Sequence, residues 1–310
     1  MDSSQNGYYP GFERYDGAVS AEPSRAVLVT GCSSGIGRAT AGLLARSGWP
    51  VYATARRAEA LADLESLGCR PLALDVTDDD SMCAAVELVE REHGAVGVLV
   101  NNAGFSRSGP VETVATADAR RQFEPNVFGP TRLAQLVLPG MRAQRWGRIV
   151  VIGSMGGRLT FPGGGWYHAT KYALEALSDA LRFEVAGFGV DVVLVEPGFI
   201  RSGFSEVAAS SMETPAGRAP AGDDPYGKFT AGLIASTRGV YDRGLLARLA
   251  GTPDDVAAVV LEAITADRPK ARYPVTASAR LLLAARTLLP DRGWDAFLAR
   301  QFVRPGGRHG

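Results

Sequence analysis

The chain has 310 residues, 46% of them hydrophobic and 21% charged, with 33 basic against 33 acidic side chains. That suffices for a sizeable core, and a net charge of zero without a basic run excludes a nucleic-acid footprint, leaving a small molecule as the expected partner. Three cysteines without paired spacing (Cys32, Cys69, Cys83) read as reduced thiols of a cytoplasmic protein, and three scattered histidines (His93, His168, His309) form no metal cluster, so neither disulfides nor a metal is expected.

Residues 1–24 have neither a positively charged start nor an apolar stretch, so they read as a flexible tail and not as a signal peptide. A single domain over 25–303 follows, opening with AVLVT at 26–30. Further apolar runs are VYATA at 51–55, PLALDV at 71–76, GVLVNNA at 97–103, RIVVIGS at 148–154, VDVVLVEP at 190–197 and ARYPVTA at 271–277. Continuous Val/Ile/Leu runs fit strands buried on both faces of a parallel sheet. Helix-like segments lie between them, such as RATAGLLARSG and SMCAAVELVEREHG. The alternation predicts a Rossmann-type doubly wound α/β sheet of about seven strands, mostly or all parallel, with helices on both faces and a ligand crevice at the strands' carboxyl ends.

Directly after the first strand, Thr30-Gly31-Cys32-Ser33-Ser34-Gly35-Ile36-Gly37 leads into a helix. Glycines there let backbone approach a pyrophosphate, and the helix N-terminus supplies N–H groups and a positive dipole. The second strand ends in Ala55-Arg56-Arg57, where an NAD-preferring fold would place an acid against the ribose hydroxyls. A guanidinium can clamp a 2′-phosphate, so Arg56, with Arg57 and the Ser33 hydroxyl, points to NADP(H). Asp75-Val76, closing the third strand, could hold the adenine edge; Asp75 could equally cap the turn before Thr77.

Tyr167 and Lys171 lie four residues apart in WYHATKYALEAL, on one face of a helix. An ammonium beside a phenol favours the phenolate and draws the tyrosine pKa down towards working pH, which makes Tyr167 a candidate general acid/base. Residues 205–228, rich in Ala, Gly, Ser and Pro, read as a flexible loop within a substrate lid at about 199–250. A helix starts at Thr252-Pro253-Asp254-Asp255, with a capping hydroxyl, Pro at the first helical position and acids in the first turn. SARLLLAARTLLP is too short, and too interrupted by Arg280 and Arg286, to span a membrane; it reads as a packed or membrane-surface helix.

TGCSSGIG, Asp75-Val76, Asn101-Asn102-Ala103-Gly104, Asn126 in PNVFG, Ser154 in VVIGS, Tyr167 and Lys171 in YHATK, and Pro197-Gly198 together resemble the short-chain dehydrogenase/reductases, closely over about 25–200. CSSGIG, VYATARR and ARYPVTASARLLL look like the branch of 17β-hydroxysteroid and retinol dehydrogenases. The resemblance implies a catalytic tetrad of Asn126, Ser154, Tyr167 and Lys171. Ser154 would hydrogen-bond the substrate carbonyl, Tyr167 would protonate it, Lys171 would lower the tyrosine pKa and hold the nicotinamide ribose, and Asn126 would hold a water linking Lys171 to solvent. It also implies cofactor contacts at Gly31, Ser33, Ser34, Gly35, Ile36, Gly37, Asp75, Val76, Asn102, Ala103, Gly104, Pro197, Gly198 and Ile200; for the Asn101–Gly104 stretch a purely structural role stands beside direct contact. Pro125, where a non-proline residue is usual, bears on how Asn126 is placed.

Phe105, Ser154, Met155, Leu159, Phe161, Trp166, Tyr167, Phe199 and Phe204 are the candidate pocket lining, apolar and partly aromatic. The expected activity is NADP(H)-dependent interconversion of a hydrophobic ketone and a secondary alcohol of steroid, retinoid, aryl or polyketide type. A non-catalytic NADP(H)-sensing regulator of the same fold is the alternative. Relatives pair through long helices, here placed at 113–144 and 167–187, so a homodimer or homotetramer is expected.

Overall fold

All seven apolar runs become strands in the computed structural model, which describes residues 22–213, 224–239 and 245–305. They are β1 (Val27–Val29), β2 (Val51–Ala55), β3 (Cys69–Ala73), β4 (Val98–Asn101), β5 (Gly147–Ile152), β6 (Val190–Glu196) and β7 (Arg272–Pro274). Every pairing is parallel, in the order β3-β2-β1-β4-β5-β6-β7. The chain walks outward from β1 to β3 and then crosses back to β4, so the crevice of a doubly wound sheet opens beyond β1 and β4.

The helices are α1 (Gly35–Arg46), α2 (Ala62–Glu65), α3 (Asp79–His93), α4 (Thr116–Phe123), α5 (Gly129–Ala143), α6 (Gly165–Val185), α7 (Phe204–Glu213), α8 (Gly227–Gly239), α9 (Leu245–Arg248), α10 (Pro253–Thr265), α11 (Ala277–Leu288) and α12 (Asp291–Gln301). Two cores flank the sheet because strand side chains alternate between its faces. Leu28, Leu99, Ile149 and Val151 join Val86 of α3, Leu133 of α5 and Leu174 of α6. Val27, Val29, Val98, Val100 and Val150 join Leu44 of α1 and Val256 and Val260 of α10. The α10 start carries the expected cap: Asp255 N–H donates to Thr252 Oγ1 (3.3 Å) and Thr252 N–H donates to Asp255 Oδ2 (2.7 Å).

Three expectations need correction. The third strand stops at Ala73, short of Asp75. The long helix placed at 113–144 is two, α4 and α5, separated by a π-helical turn at Glu124–Phe128. Pro125 brings no N–H to the helical ladder, and the backbone widens there. The loop placed at 205–228 is helical over Phe204–Glu213, because Ala208, Ala209 and Met212 share one buried face. Residues 214–223 of that stretch, and residues 1–21 of the tail, lie outside the described residues. Ser24 is anchored, its N–H donating to Gln144 Oε1 (2.8 Å) and its hydroxyl to Ala95 O (2.6 Å).

Candidate active site

The glycine loop folds tightly over the end of β4. Gly31 (φ 72°) and Gly35 (φ 57°) adopt left-handed backbone, which glycine takes without strain. A Cβ at Gly37 would stand 2.4 Å from both Gly31 O and Asn102 Nδ2. Asn102 Nδ2 donates to Thr30 O (2.8 Å) and Gly31 O (3.1 Å), while Thr30 Oγ1 accepts from the N–H groups of Asn102 (2.9 Å) and Ala103 (3.0 Å). Asn102 therefore builds the loop. Ser34 caps α1 with no side-chain hydrogen bond, and Ser33 and Ser34 are exposed, so the first-turn amides face outward. Such a cradle, with an uncapped helix N-terminus, fits a pyrophosphate.

Arg56 and Arg57 directly follow β2, both exposed and without a side-chain partner among the described residues. One oxygen of Asp75 accepts from Thr77 N–H (2.9 Å) and Thr77 Oγ1 (2.7 Å), the turn-capping alternative, while Asp78 caps α3. Val76 is buried against α5, whose Gly129 allows contact: a Cβ there would lie 2.3 Å from Val76 O.

Ser154 follows β5 and caps a short turn at Met155–Gly157, its Oγ accepting from Gly156 N–H at 3.0 Å. Its own hydroxyl proton is thereby left for another acceptor. Tyr167, half-buried in the first turn of α6, packs its ring against Phe204 (centroids 5.4 Å) and His168 (5.7 Å). Lys171, one turn on, is buried; its Nζ lies 5.8 Å from the Tyr167 ring centroid and donates to Ile152 O at 2.8 Å. Burial pushes the Lys171 pKa from 10.5 down to about 8, opposed by the nearby Glu175 carboxylate.

Asn126 reaches this region from the π-turn, but its side chain is taken. Nδ2 donates to Phe105 O (2.9 Å) and Thr170 Oγ1 (3.1 Å), and Oδ1 accepts from Phe105 N–H (3.0 Å). The amide clamps the loop after β4 to α6, so a bound water would have to use the Asn126 main chain. Gly104 leaves it room, since a Cβ there would meet Asn126 Oδ1 at 2.8 Å. Pro197 O accepts from Met155 N–H (2.9 Å), and Gly198 admits the α11 cap, a Cβ there falling 2.2 Å from Thr276 Oγ1. Ile200 is buried and forms a parallel bridge with Gly251.

The candidate pocket residues divide. Phe204 is 41% exposed, and Phe105, Phe161, Trp166 and Phe199 are half-buried, with Phe161 and Phe199 stacked at 6.3 Å. Met155 and Leu159 are core residues, packed with Leu282 and Leu283 of α11 and Trp294 of α12. The α11–α12 pair fills the space beneath the loop after Ser154, which takes these two out of the pocket wall.

His168 is a residue that spacing did not single out. Phe161 N–H donates to its Nε2 (3.1 Å), so Nδ1–H donates to Gly156 O (2.9 Å). The buried ring thus ties the turn holding Ser154 to the helix holding Tyr167. Burial depresses its pKa below the ordinary 6.5. A depressed histidine contributes stability that is complete above 6.5 and lost as pH falls below it. We expect the wild-type melting temperature to fall through that acid window, and H168Q, which keeps an uncharged polar ring substitute, to melt lower at neutral pH with a flatter acid slope. A parallel fall in both proteins would refute this.

The short chain dehydrogenase family model matches residues 25–213. The chain is 35% identical over 275 residues to the uncharacterized oxidoreductase YbbO of Escherichia coli K12, covering 88% of this chain and 94% of that protein. It is 35% identical over 280 residues to the NADPH-dependent 3-dehydrocapnine reductase of Ornithobacterium rhinotracheale (87% and 95% covered), and 35% identical over 277 residues to human 17-beta-hydroxysteroid dehydrogenase type 1 (86% and 81%). A crystal structure of a short-chain dehydrogenase from Streptomyces avermitilis superposes with a TM-score of 0.71 at 35% identity, covering 91% of this chain and 97% of that one. With the uncapped glycine cradle and the tyrosine–lysine face on one sheet edge, these matches place the chain in the short-chain dehydrogenase/reductase family.

Proposed function

We propose that the protein is an NADP(H)-dependent oxidoreductase interconverting a hydrophobic ketone and its secondary alcohol. The observation that carries this reading is Lys171, buried beneath Tyr167 and pinned to Ile152 O, two residues before Ser154. When bound, the nicotinamide would supply or take up the hydride. In the reductive direction Ser154 Oγ–H donates to the substrate carbonyl oxygen, and the Tyr167 phenolic proton passes to that oxygen as the carbon accepts hydride. The ammonium of Lys171 stabilises the phenolate left behind. The first-turn amides of α1 would hold the pyrophosphate, and the main chain of Pro197–Ile200 would lie against the nicotinamide end.

Unpaired Arg56 and Arg57 at the end of β2 support a 2′-phosphate, and the NADPH-dependent relative agrees with that choice. Half-buried Phe105 and Trp166 with exposed Phe204 support an apolar substrate; Phe161 and Phe199 pack against the same cluster as Met155 and Leu159. Exposed Tyr172, Leu177 and Phe183 on α6 support a homodimer or homotetramer.

The test is a panel of hydrophobic ketones assayed with NADPH and NADH on wild type and R56D. We expect oxidation of NADPH by wild type, and in R56D a loss of the NADPH-over-NADH preference by about 10²-fold. An unchanged preference in R56D would reject Arg56 as the phosphate clamp. Tight NADPH binding without turnover on any ketone would favour the sensing regulator instead.

A further inference from the structure

One helical turn beyond Lys171, two glutamates are buried together. Glu196, the last residue of β6, has no exposed surface, and Glu175, one helical turn beyond Lys171 on α6, is 8% exposed. Three of their four carboxylate oxygens (Glu175 Oε1, Glu196 Oε1 and Glu196 Oε2) are buried without a hydrogen-bond partner. The fourth, Glu175 Oε2, accepts from Arg272 Nε at 2.9 Å. Cations approach Glu196 only to 3.5 Å (Arg158) and 3.7 Å (Arg272), beyond hydrogen-bonding distance. Two ionised carboxylates in this position would leave buried charge unsatisfied and repel each other. A single proton between them would resolve the conflict: the Arg272 Nε that bonds Glu175 Oε2 at 2.9 Å lies 3.7 Å from Glu196 Oε1, so both carboxyls face one cation, and one O–H···O bond would give each a partner.

The charged groups around the pair come from four elements. Lys171, Glu175, Asp179 and Arg182 lie on α6, Glu196 on β6, Arg272 on β7 and Arg158 on the turn after β5; His168, also on α6, is neutral and turned to Gly156. With one carboxyl protonated the formal sum is four positive against two negative charges, and when that proton leaves it is four against three. We propose that Glu175 and Glu196 share one proton and act as a charge reserve for Lys171, releasing the proton as pH rises so that Lys171 stays an ammonium. The released proton passes to water by Arg158 and Asp179, whose side chains are 42% and 43% exposed. No bond other than O–H changes, and no oxidant or further reactant enters. Glu175 and Glu196 are positioning residues that act on Tyr167 through Lys171; the effect on rate rests on the oxidoreductase reading, whereas the shared proton does not.

The sign follows from linkage. Burial first, and then the neighbouring Glu175, raise the Glu196 pKa from 4.5 to about 7. A raised acid is favourable in the fold at low pH and becomes a cost as pH rises through that value. E196Q, an isosteric stand-in for the protonated acid, should therefore melt with wild type near pH 5 and lead it by about 3 °C near pH 8. His168 is present in both proteins and cancels from the difference. Infrared spectra of the folded wild type, which need no variant, should show the carbonyl stretch of an un-ionised carboxylic acid at about pH 6 that is lost by about pH 9.

In assays of ketone reduction with NADPH, the alkaline limb of kcat/KM should move to lower pH in E196Q by on the order of one unit, because Lys171 then loses its proton unassisted. A pH-independent melting difference, or no un-ionised carboxyl band, would overturn the shared proton. Superimposable alkaline limbs would overturn the link to Lys171. If melting and infrared behave as stated while no ketone is reduced, the pair stands and the proposed function falls; if ketones are reduced and melting is flat, the reverse holds.

Discussion

Tyr167→Phe is expected to lower kcat/KM for ketone reduction by about 10³-fold, with NADPH affinity within about threefold of wild type. The ring would still pack on Phe204 and His168, both of which contact the tyrosine through its face or edge, so the fold around it is preserved. What disappears is the phenolic proton beside Lys171. An aliphatic hydroxyl such as that of Ser154 is a far weaker acid than a phenol, and it is the Tyr167 ring that has the Lys171 ammonium at 5.8 Å. Lys171 itself is held by Ile152 O and does not depend on the phenol for its position. Steady-state kinetics on any ketone turned over by wild type, together with a fluorescence titration of NADPH, checks the result. Activity within about threefold of wild type would rule out Tyr167 as the proton donor.

Gly37→Ala is expected to weaken NADPH binding by more than about 100-fold and to cost about 1–3 kcal/mol of stability. The new Cβ would fall 2.4 Å from Gly31 O and from Asn102 Nδ2, and neither can yield cheaply. Gly31 is main chain in a left-handed turn, and the Asn102 amide is the group that bonds Thr30 O and Gly31 O to shape the loop. Any relief therefore opens the cradle and shifts the first-turn amides of α1 from the pyrophosphate. The variant should melt below wild type and show little or no upward shift in melting temperature on adding NADPH. Wild-type NADPH affinity in G37A would refute the cradle argument. The glycine effect and the tyrosine effect separate cleanly, because one removes cofactor affinity and the other removes proton transfer at constant affinity.

Much of this was legible along the chain. Apolar runs of five to eight residues alternating with helix-like segments fit strands covered on both faces of a parallel sheet, and each of the seven runs does pair in that sheet. The Gly31–Gly37 loop and the Tyr167/Lys171 spacing are local devices whose chemistry is carried by residue type and helical period. The Thr252 cap of α10 was equally local, a matter of four consecutive residues.

Where the sequence misled, the deciding contact came from elsewhere in the chain. Composition made 205–228 a loop, but Ala208, Ala209 and Met212 bury one face of α7, and packing together with the helix propensity of Ala outweighs the Ser content there. Leu159 and Met155 were assigned to the pocket by their distance from Ser154, and only α11 and α12, more than a hundred residues later, turn that side of the loop into core. Nothing local to Asn126 shows that its side-chain amide is engaged by the loop at Phe105. His168 and the Glu175/Glu196 pair had no signature of their own: a histidine becomes a tie only when Gly156 and Phe161 face it, and the Glu196 carboxyl acquires its raised proton affinity only when the fold buries it, with Glu175 beside it. Chain order and periodicity thus determined the sheet, the glycine cradle and the acid/base pair, because these depend on neighbours within a few residues. Tertiary structure alone decided which groups are desolvated and against what, and desolvation is what draws the Lys171 pKa down and the Glu196 pKa up.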